Sequence, residues 1–280
     1  MTSIFMIILI ACLMLMDFFG ANITDDYVEG NSEYSSAYKS ALNQNINKGY
    51  VSLSRILYFY LEDETKKINE IYNDNLDLEN KQILPISEVC LKEKYINMDV
   101  CKLNNYENSG QINDYQNKPF YPPINFSKTT ITSFFMEERI IYGNEDIHKA
   151  WDFASKNKTP VYSVCDGEVI KSNFKYEENI IDKTGGTGNT IVIKCEIDDE
   201  ITYEVLYGHL YPNTNKVNKG DIVKKGTIIA GVGTTGYSTG PHLHFQVKDI
   251  NNKYIDGMSL IDFNTSYYDI NIEDKYNSLK

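Results

Sequence analysis

Gly240-Pro241-His242-Leu243-His244-Phe245 follows a turn-rich run, Gly233-Thr234-Thr235-Gly236-Tyr237-Ser238-Thr239, and reads as the launch of a β-strand. In an extended strand, side chains i and i+2 share a face. His242 and His244 then aim two imidazoles into one space, while Leu243 points the other way, into a core. The chain holds only 4 histidines, so two of them one residue apart direct attention to the others.

His148-Lys149-Ala150-Trp151-Asp152 sets a carboxylate four residues after a histidine, and His209 ends a strand-like run in Tyr207-Gly208-His209-Leu210. Zn²⁺ takes imidazole nitrogen and carboxylate oxygen in a tetrahedral site, and a catalytic site keeps the fourth position for water. Two histidines and an aspartate, with further histidines beside them, suit metal-activated hydrolysis. Histidines satisfied in a core or on a polar strand face are the plainer alternative, and spacing alone leaves both open. All four histidines fall after Pro123, close to Gly or Asp, which weighs toward the metal.

Working outward, 280 residues suffice for one large domain or two modest ones, and an apolar fraction of 42% supports a packed core. The net charge of −12 argues against a nucleic-acid partner, because phosphate binding needs clustered Lys and Arg. The 5 cysteines show no CxxC pair and no zinc-finger spacing. Cys90 and Cys101 read either as a bridge formed outside the cell or as isolated thiols. Cys165 and Cys195, in apolar strand-like surroundings, read as small core residues.

Residues Ile4 to Gly20 are almost wholly apolar, broken by Asp17. This length suits a short membrane span or a signal peptide, although no Lys or Arg precedes Lys39. An uncleaved anchor ranks ahead of a cleaved signal, and a lipoprotein built on Leu9-Ile10-Ala11-Cys12 ranks third. All three readings export the remainder, which gives a single-pass membrane protein with its C-terminal domain outside, or a secreted one. From Asn31 to Asn117 the composition shifts to Asn, Tyr and Lys. There Leu53, Ile56, Leu57, Tyr60 and Leu61 predict one long helix reaching about Asn75. This region reads as a mostly helical spacer, or as a helix that binds a protein partner. Lys118-Pro119-Phe120-Tyr121-Pro122-Pro123 reads as a linker. Beyond it, short β-type runs punctuated by glycine predict an antiparallel sandwich or barrel: Thr159–Val164, Gly167–Ile170, Thr190–Lys194, Ile201–Tyr207, Thr227–Val232 and His242–Val247. Lys219–Gly226 reads as a hairpin with two Gly turns. The expected organisation is a membrane or signal segment over 1–24, a helical spacer over 25–124, a mainly β domain over 125–265 and a polar tail over 266–280.

His148-x-x-x-Asp152, Tyr207-Gly208-His209-Leu210 and Gly233 through Phe245 together resemble the M23 peptidases, the lysostaphin or LytM type of zinc endopeptidase that cuts peptidoglycan peptides. The resemblance covers about Ile131 to Phe263, with the motifs in order and spacing. It implies that His148, Asp152 and His244 bind one Zn²⁺, while His209 and His242 form an unliganded catalytic pair. Tyr142 matches in position a tyrosine that stabilises the transition state. Ala150 departs from the family's usual Gly without removing a ligand. The implied substrate is a stem or cross-bridge peptide of bacterial peptidoglycan. One rival is a membrane-anchored, non-catalytic scaffold of the same domain type. Another is a biotinyl or lipoyl carrier, suggested by Val217–Gly231, but a carrier needs no histidine cluster.

Overall fold

A computed structural model of the chain describes residues 32–60, 67–79, 81–84, 86–95, 98, 118–141, 144–182, 184–197 and 201–263. Two compact units emerge, Met1–Gln116 with Glu138–Asp146, and Asn117–Glu137 with Ile147–Lys280. The apolar N-terminal segment, Cys12, Cys101, Tyr142 and the polar tail lie outside the described residues. Among the described residues, no helix is long and apolar enough to cross a membrane.

In the first unit, helices α1 (Ser32–Asn45), α2 (Leu53–Tyr60), α3 (Ile68–Asp74) and α4 (Ile86–Val89) are joined by a short ribbon of β1 (Leu76–Asp77) and β2 (Gln82–Ile83). The single long helix expected from Leu53 to Asn75 is not formed. Lys67 is extended at φ −80°, ψ 134°, and α3 starts afresh after it. The reason is burial: Ile56 and Phe59 of α2 and Ile71 and Tyr72 of α3 are all fully enclosed, which a straight rod does not achieve. Arg55 on α2 donates from Nε to Asn75 Oδ1, the residue after α3, at 2.7 Å. Tyr72 donates to Gly49 O at 2.9 Å and accepts from Val51 N–H at 3.1 Å, tying the α1–α2 connection to α3.

The second unit is built on an antiparallel sheet in the order β11-β8-β9-β10-β13-β6-β3, with β14 added at β13. These strands are β3 (Thr130–Ser133), β6 (Trp151–Ala154), β8 (Gly167–Asn173), β9 (Thr190–Glu196), β10 (Thr202–Gly208), β11 (Ile222–Val223), β13 (His242–Asp249) and β14 (Tyr254–Ile255). A separate ribbon pairs β7 (Pro160–Tyr162) with β12 (Ile228–Gly231), while β4 (Glu137–Ile141) pairs with β5 (Asn144–His148) in a ribbon whose residues 138–146 group with the first unit. The domain is mainly β and antiparallel, as its glycine-punctuated runs predict. On β13 the period-2 pattern is clean: Leu243, Phe245 and Val247 are buried while His242 and His244 are partly open. Phe245 packs against Phe153 of β6 and Tyr207 of β10, with ring centroids 6.1 and 6.0 Å apart.

Three local expectations are corrected. The Lys118–Pro123 stretch is packed within this unit: Phe120 is fully buried and its N–H donates to Leu260 O at 3.0 Å, while Tyr121 lies against Tyr162. Prolines stop regular structure there, yet the two aromatic side chains still have apolar surface to bury. Lys219–Gly226 does not pair with itself, because Ile222 and Val223 pair with Glu168 and Gly167 of β8. Finally, Cys165 and Cys195 are not separate core thiols but a disulfide, with Cα atoms 5.8 Å apart across 30 residues of sequence. The β8–β9 register sets Gly167 opposite Cys195, which brings Cys165 within bonding reach. Cys90 is also disulfide-bonded, and its partner lies outside the described residues.

Closing a loop of this length limits the unfolded ensemble by about 3–4 kcal/mol. The double variant Cys165→Ser/Cys195→Ser is therefore expected to lose about 2–4 kcal/mol in urea unfolding at pH 7. Dithiothreitol should lower the wild type at least as far, because it reduces the Cys90 bond as well. Unchanged unfolding curves would show that the bond constrains nothing.

Candidate metal centre

The site lies where β10, β13 and β6 run side by side. His244 stands directly opposite Asp152 and His242 opposite Ala154, and Gly208 faces His244 on the other flank. A Cβ at Gly208 would come within 3.3 Å of His244 Cβ and 3.1 Å of Thr187 Cβ, so a glycine lets β10 lie tight against the histidine strand. His148 is delivered by the end of β5, where its carbonyl accepts from Met136 N–H at 2.7 Å. His209 follows β10 at φ 56°, in the left-handed region that non-glycine residues seldom adopt.

His148, Asp152 and His244 converge as one group able to hold a metal ion. His148 Nε2 lies 3.2 Å from Asp152 Oδ1, and His244 Nδ1 lies 3.0 Å from the same oxygen. The two nitrogens are 3.4 Å apart. Four-coordinate zinc with bonds near 2.0–2.1 Å places its ligand atoms roughly 3.3 Å from one another. The triangle thus has the size of one face of such a tetrahedron, and its two nitrogens and one oxygen are donors that zinc accepts. His148 Nδ1 is buried with no hydrogen-bond partner among the described residues, so this ring is committed to the site through Nε2 alone.

Electrostatics agrees with that arrangement. Burial pushes the Asp152 carboxyl up, but hydrogen bonds and charge from His148 and His244 outweigh it and hold it well below the usual carboxylate range. A buried carboxylate ringed by imidazoles needs a cation or added protons, because unpaired buried charge is costly.

His209 and His242 sit beside the triangle without joining it. Their ring centroids are 4.6 Å apart, and His209 lies edge-on to His244 at 5.6 Å. Each is held by a backbone carbonyl at Nδ1, Thr235 O at 2.7 Å for His209 and Gly240 O at 2.8 Å for His242. A carbonyl only accepts, so Nδ1 carries the proton in both and Nε2 presents a lone pair when the ring is neutral. Burial lowers the His209 pKa to about 3, with the neighbouring His242 and His244 adding to the effect. His242 Nε2 lies 3.6 Å from Asp152 Oδ1. Five of the six residues singled out from sequence are brought together, and Tyr142 lies outside the described residues. The carbonyls of Thr235 and Gly240 escaped that reading, because a backbone group has no sequence signature.

Two outcomes are expected. His148→Ala and His244→Ala should each abolish zinc retention by elemental analysis after dialysis, whereas His242→Ala should keep one zinc per chain. The second concerns pH. A histidine at about 6.5 unfolded and about 3 folded binds its proton only in the unfolded state, so stability is lost as pH falls through that window. Metal-free protein should lose about 2 kcal/mol between pH 7 and pH 5 from this group alone, and His209→Gln should remove that part of the slope.

Comparison with known proteins bears on the same residues. The model for Peptidase family M23 matches residues 146–257. The peptidoglycan DD-endopeptidase ShyB of Vibrio cholerae is 36% identical over 138 residues, covering 49% of this chain and 29% of that protein. Lysostaphin of Staphylococcus staphylolyticus is 37% identical over 103 residues, covering 37% and 19%. Among solved structures, a zinc-containing peptidase from Vibrio cholerae aligns at 34% identity and TM-score 0.41, covering 51% of this chain and 40% of that one. The chain thus spans less than a third of the length of these two curated relatives. Residues 146–257, which carry every described member of the histidine–aspartate cluster, are a domain of Peptidase family M23.

Proposed function

We propose that the chain is a zinc-dependent endopeptidase that hydrolyses peptide bonds in the stem or cross-bridge peptides of bacterial peptidoglycan. The observation that carries this reading is the three-donor triangle of His148, Asp152 and His244, flanked by two histidines whose Nδ1 atoms are held by backbone carbonyls, so that Nε2 is the atom each presents as a lone pair. Relatives that carry the same domain include a peptidoglycan DD-endopeptidase and lysostaphin.

Zinc held by His148 Nε2, Asp152 Oδ1 and His244 Nδ1 would supply a Lewis acid and lower the pKa of water toward about 7. The remaining work belongs to the protein. His242 Nε2 takes a proton from the attacking water and returns it to the leaving amine. His209, depressed to about 3, stays neutral throughout and accepts a hydrogen bond at Nε2, orienting the water rather than storing its proton. The two bases therefore divide holding and moving between them. Tyr142 is assigned to the oxyanion on position alone.

In this reading the enzyme is exported and held at the membrane by residues 1–24, or secreted if that segment is cleaved. The Cys165–Cys195 bond supports export, since disulfides persist in oxidising compartments. The helical first unit is the candidate surface for a protein partner.

The test is hydrolysis of purified peptidoglycan by the zinc-loaded full chain, followed by mass spectrometry of released peptides. Wild type should open a peptide bond and leave glycan intact, and His242→Ala should lower turnover by about 10²-fold or more with zinc retained. Zinc-loaded wild type that releases no peptide from any wall type would sink the enzymatic reading in favour of a scaffold.

A further inference from the structure

Behind His209, the loop between β8 and β9 meets the Gly233–Gly240 turn, and the polar residues at that junction take part in no step above. The His209 N–H donates to Thr187 O at 2.7 Å while Nδ1–H donates to Thr235 O at 2.7 Å. The Thr235 hydroxyl donates to Leu210 O at 3.0 Å and accepts the Asn189 N–H at 2.9 Å. Asn189 Nδ2 donates to the same Leu210 carbonyl at 3.1 Å and to Tyr176 O at 2.9 Å, while its Oδ1 accepts from Tyr176 N–H at 2.9 Å. Leu210 N–H closes the ring by donating to Asn189 O at 3.0 Å.

Both Asn189 and Thr235 are 0% exposed, and between them they hold the N–H and the carbonyl of Leu210, the residue that follows His209. Backbones touch here as well. A Cβ on Gly188, at φ 60°, would lie 2.3 Å from Thr235 O, so only glycine lets the two loops close on each other. The arrangement over-determines a residue that sits in the left-handed region without being glycine. For the His209 ring, it places the Thr235 carbonyl against Nδ1.

We propose that Asn189 and Thr235 are positioning residues that lock His209 in one rotamer and in the Nδ1–H tautomer, leaving Nε2 as an acceptor toward the reacting water. The catalytic consequence rests on the peptidase reading, whereas the tautomer does not. A freely turning imidazole spends part of its time with the proton on Nε2, where it clashes with a water that must donate. Turnover then falls while substrate and metal still bind.

The experiment uses the zinc-loaded full chain with Thr235→Val, Thr235→Ser and, as a control, Ser163→Ala. Ser163 is an equally buried hydroxyl that donates to Cys165 O at 2.7 Å and plays no part at the site. Thr235→Val should lower kcat about 10- to 100-fold with KM within about twofold and zinc retained. Thr235→Ser keeps the hydroxyl and should stay within about threefold of wild type. Ring ¹⁵N shifts, with His209 assigned by the His209→Gln variant, should report Nδ1–H in wild type and Thr235→Ser and a mixed tautomer in Thr235→Val. Should Thr235→Val keep both kcat and tautomer, or Ser163→Ala lose as much turnover, the proposal is overturned. If wild type cleaves no peptidoglycan, the peptidase reading fails alone, and the ¹⁵N shifts still decide whether Thr235 sets the tautomer.

Discussion

His244 facing Asp152 across the β13–β6 ladder is the constraint on which the rest of the site depends. Side chains alternate along a strand, so a slip of one residue would turn His242 and His244 into the core and Leu243 toward solvent. Leu243, Phe245 and Val247 hold the register by burying themselves on the opposite face, with Phe153 and Tyr207 filling the neighbouring strands. Core packing and the placement of the donors are therefore one decision. The hydrophobic face fixes the register, and the register fixes a donor triangle with sides of 3.0 to 3.4 Å.

Burial acts on the two kinds of residue in this cluster in opposite directions. For Asp152 it opposes the charged form, but two imidazoles reverse the balance and the carboxylate stays ionised. For His209 burial and its histidine neighbours act together, and the ring stays neutral. A negative ligand and a neutral acceptor within one pocket is the combination that a divalent cation and a polarised water require. Asp152 reaches its state against its depth, through the imidazoles beside it, whereas His209 reaches its own because of depth.

Much of the β-domain was legible because its strands are short runs of β-forming residues bounded by glycine. β13 adds a clean alternation to that signal, whereas Thr190–Lys194, with Thr190 through Ile193 all buried, was legible from its β-branched residues alone. Trp151–Ala154 was harder to read as a strand, because three of its four residues are buried and no alternation shows. The break at Lys67 was hidden for another reason: apolar residues continue at helical spacing on both sides, and only packing between α2 and α3 separates them. Cysteine pairing was illegible because connectivity depends on which strands become neighbours. The four histidines and Asp152 could be named from spacing and motif, while the clamp on His209 could not, since it acts through carbonyls that every residue owns.

The disulfide and that clamp belong to one stretch of chain. Cys165 and Cys195 bracket the residues that contain Thr187, Gly188 and Asn189, so the covalent bond closes the segment that holds His209. A connection of this length, with Ile180 and Ile181 exposed, has large conformational freedom to lose. Hydrogen bonds at its far end define where Asn189 sits, and the bond between its ends reduces the ensemble from which that position must be selected. Rigidity at His209 is thus obtained from two sources of different kind, one entropic and remote, the other directional and adjacent. The first persists only where the surroundings keep the bond oxidised. The second works in any compartment, which is why the tautomer of His209 depends on Thr235 rather than on the redox state of the chain.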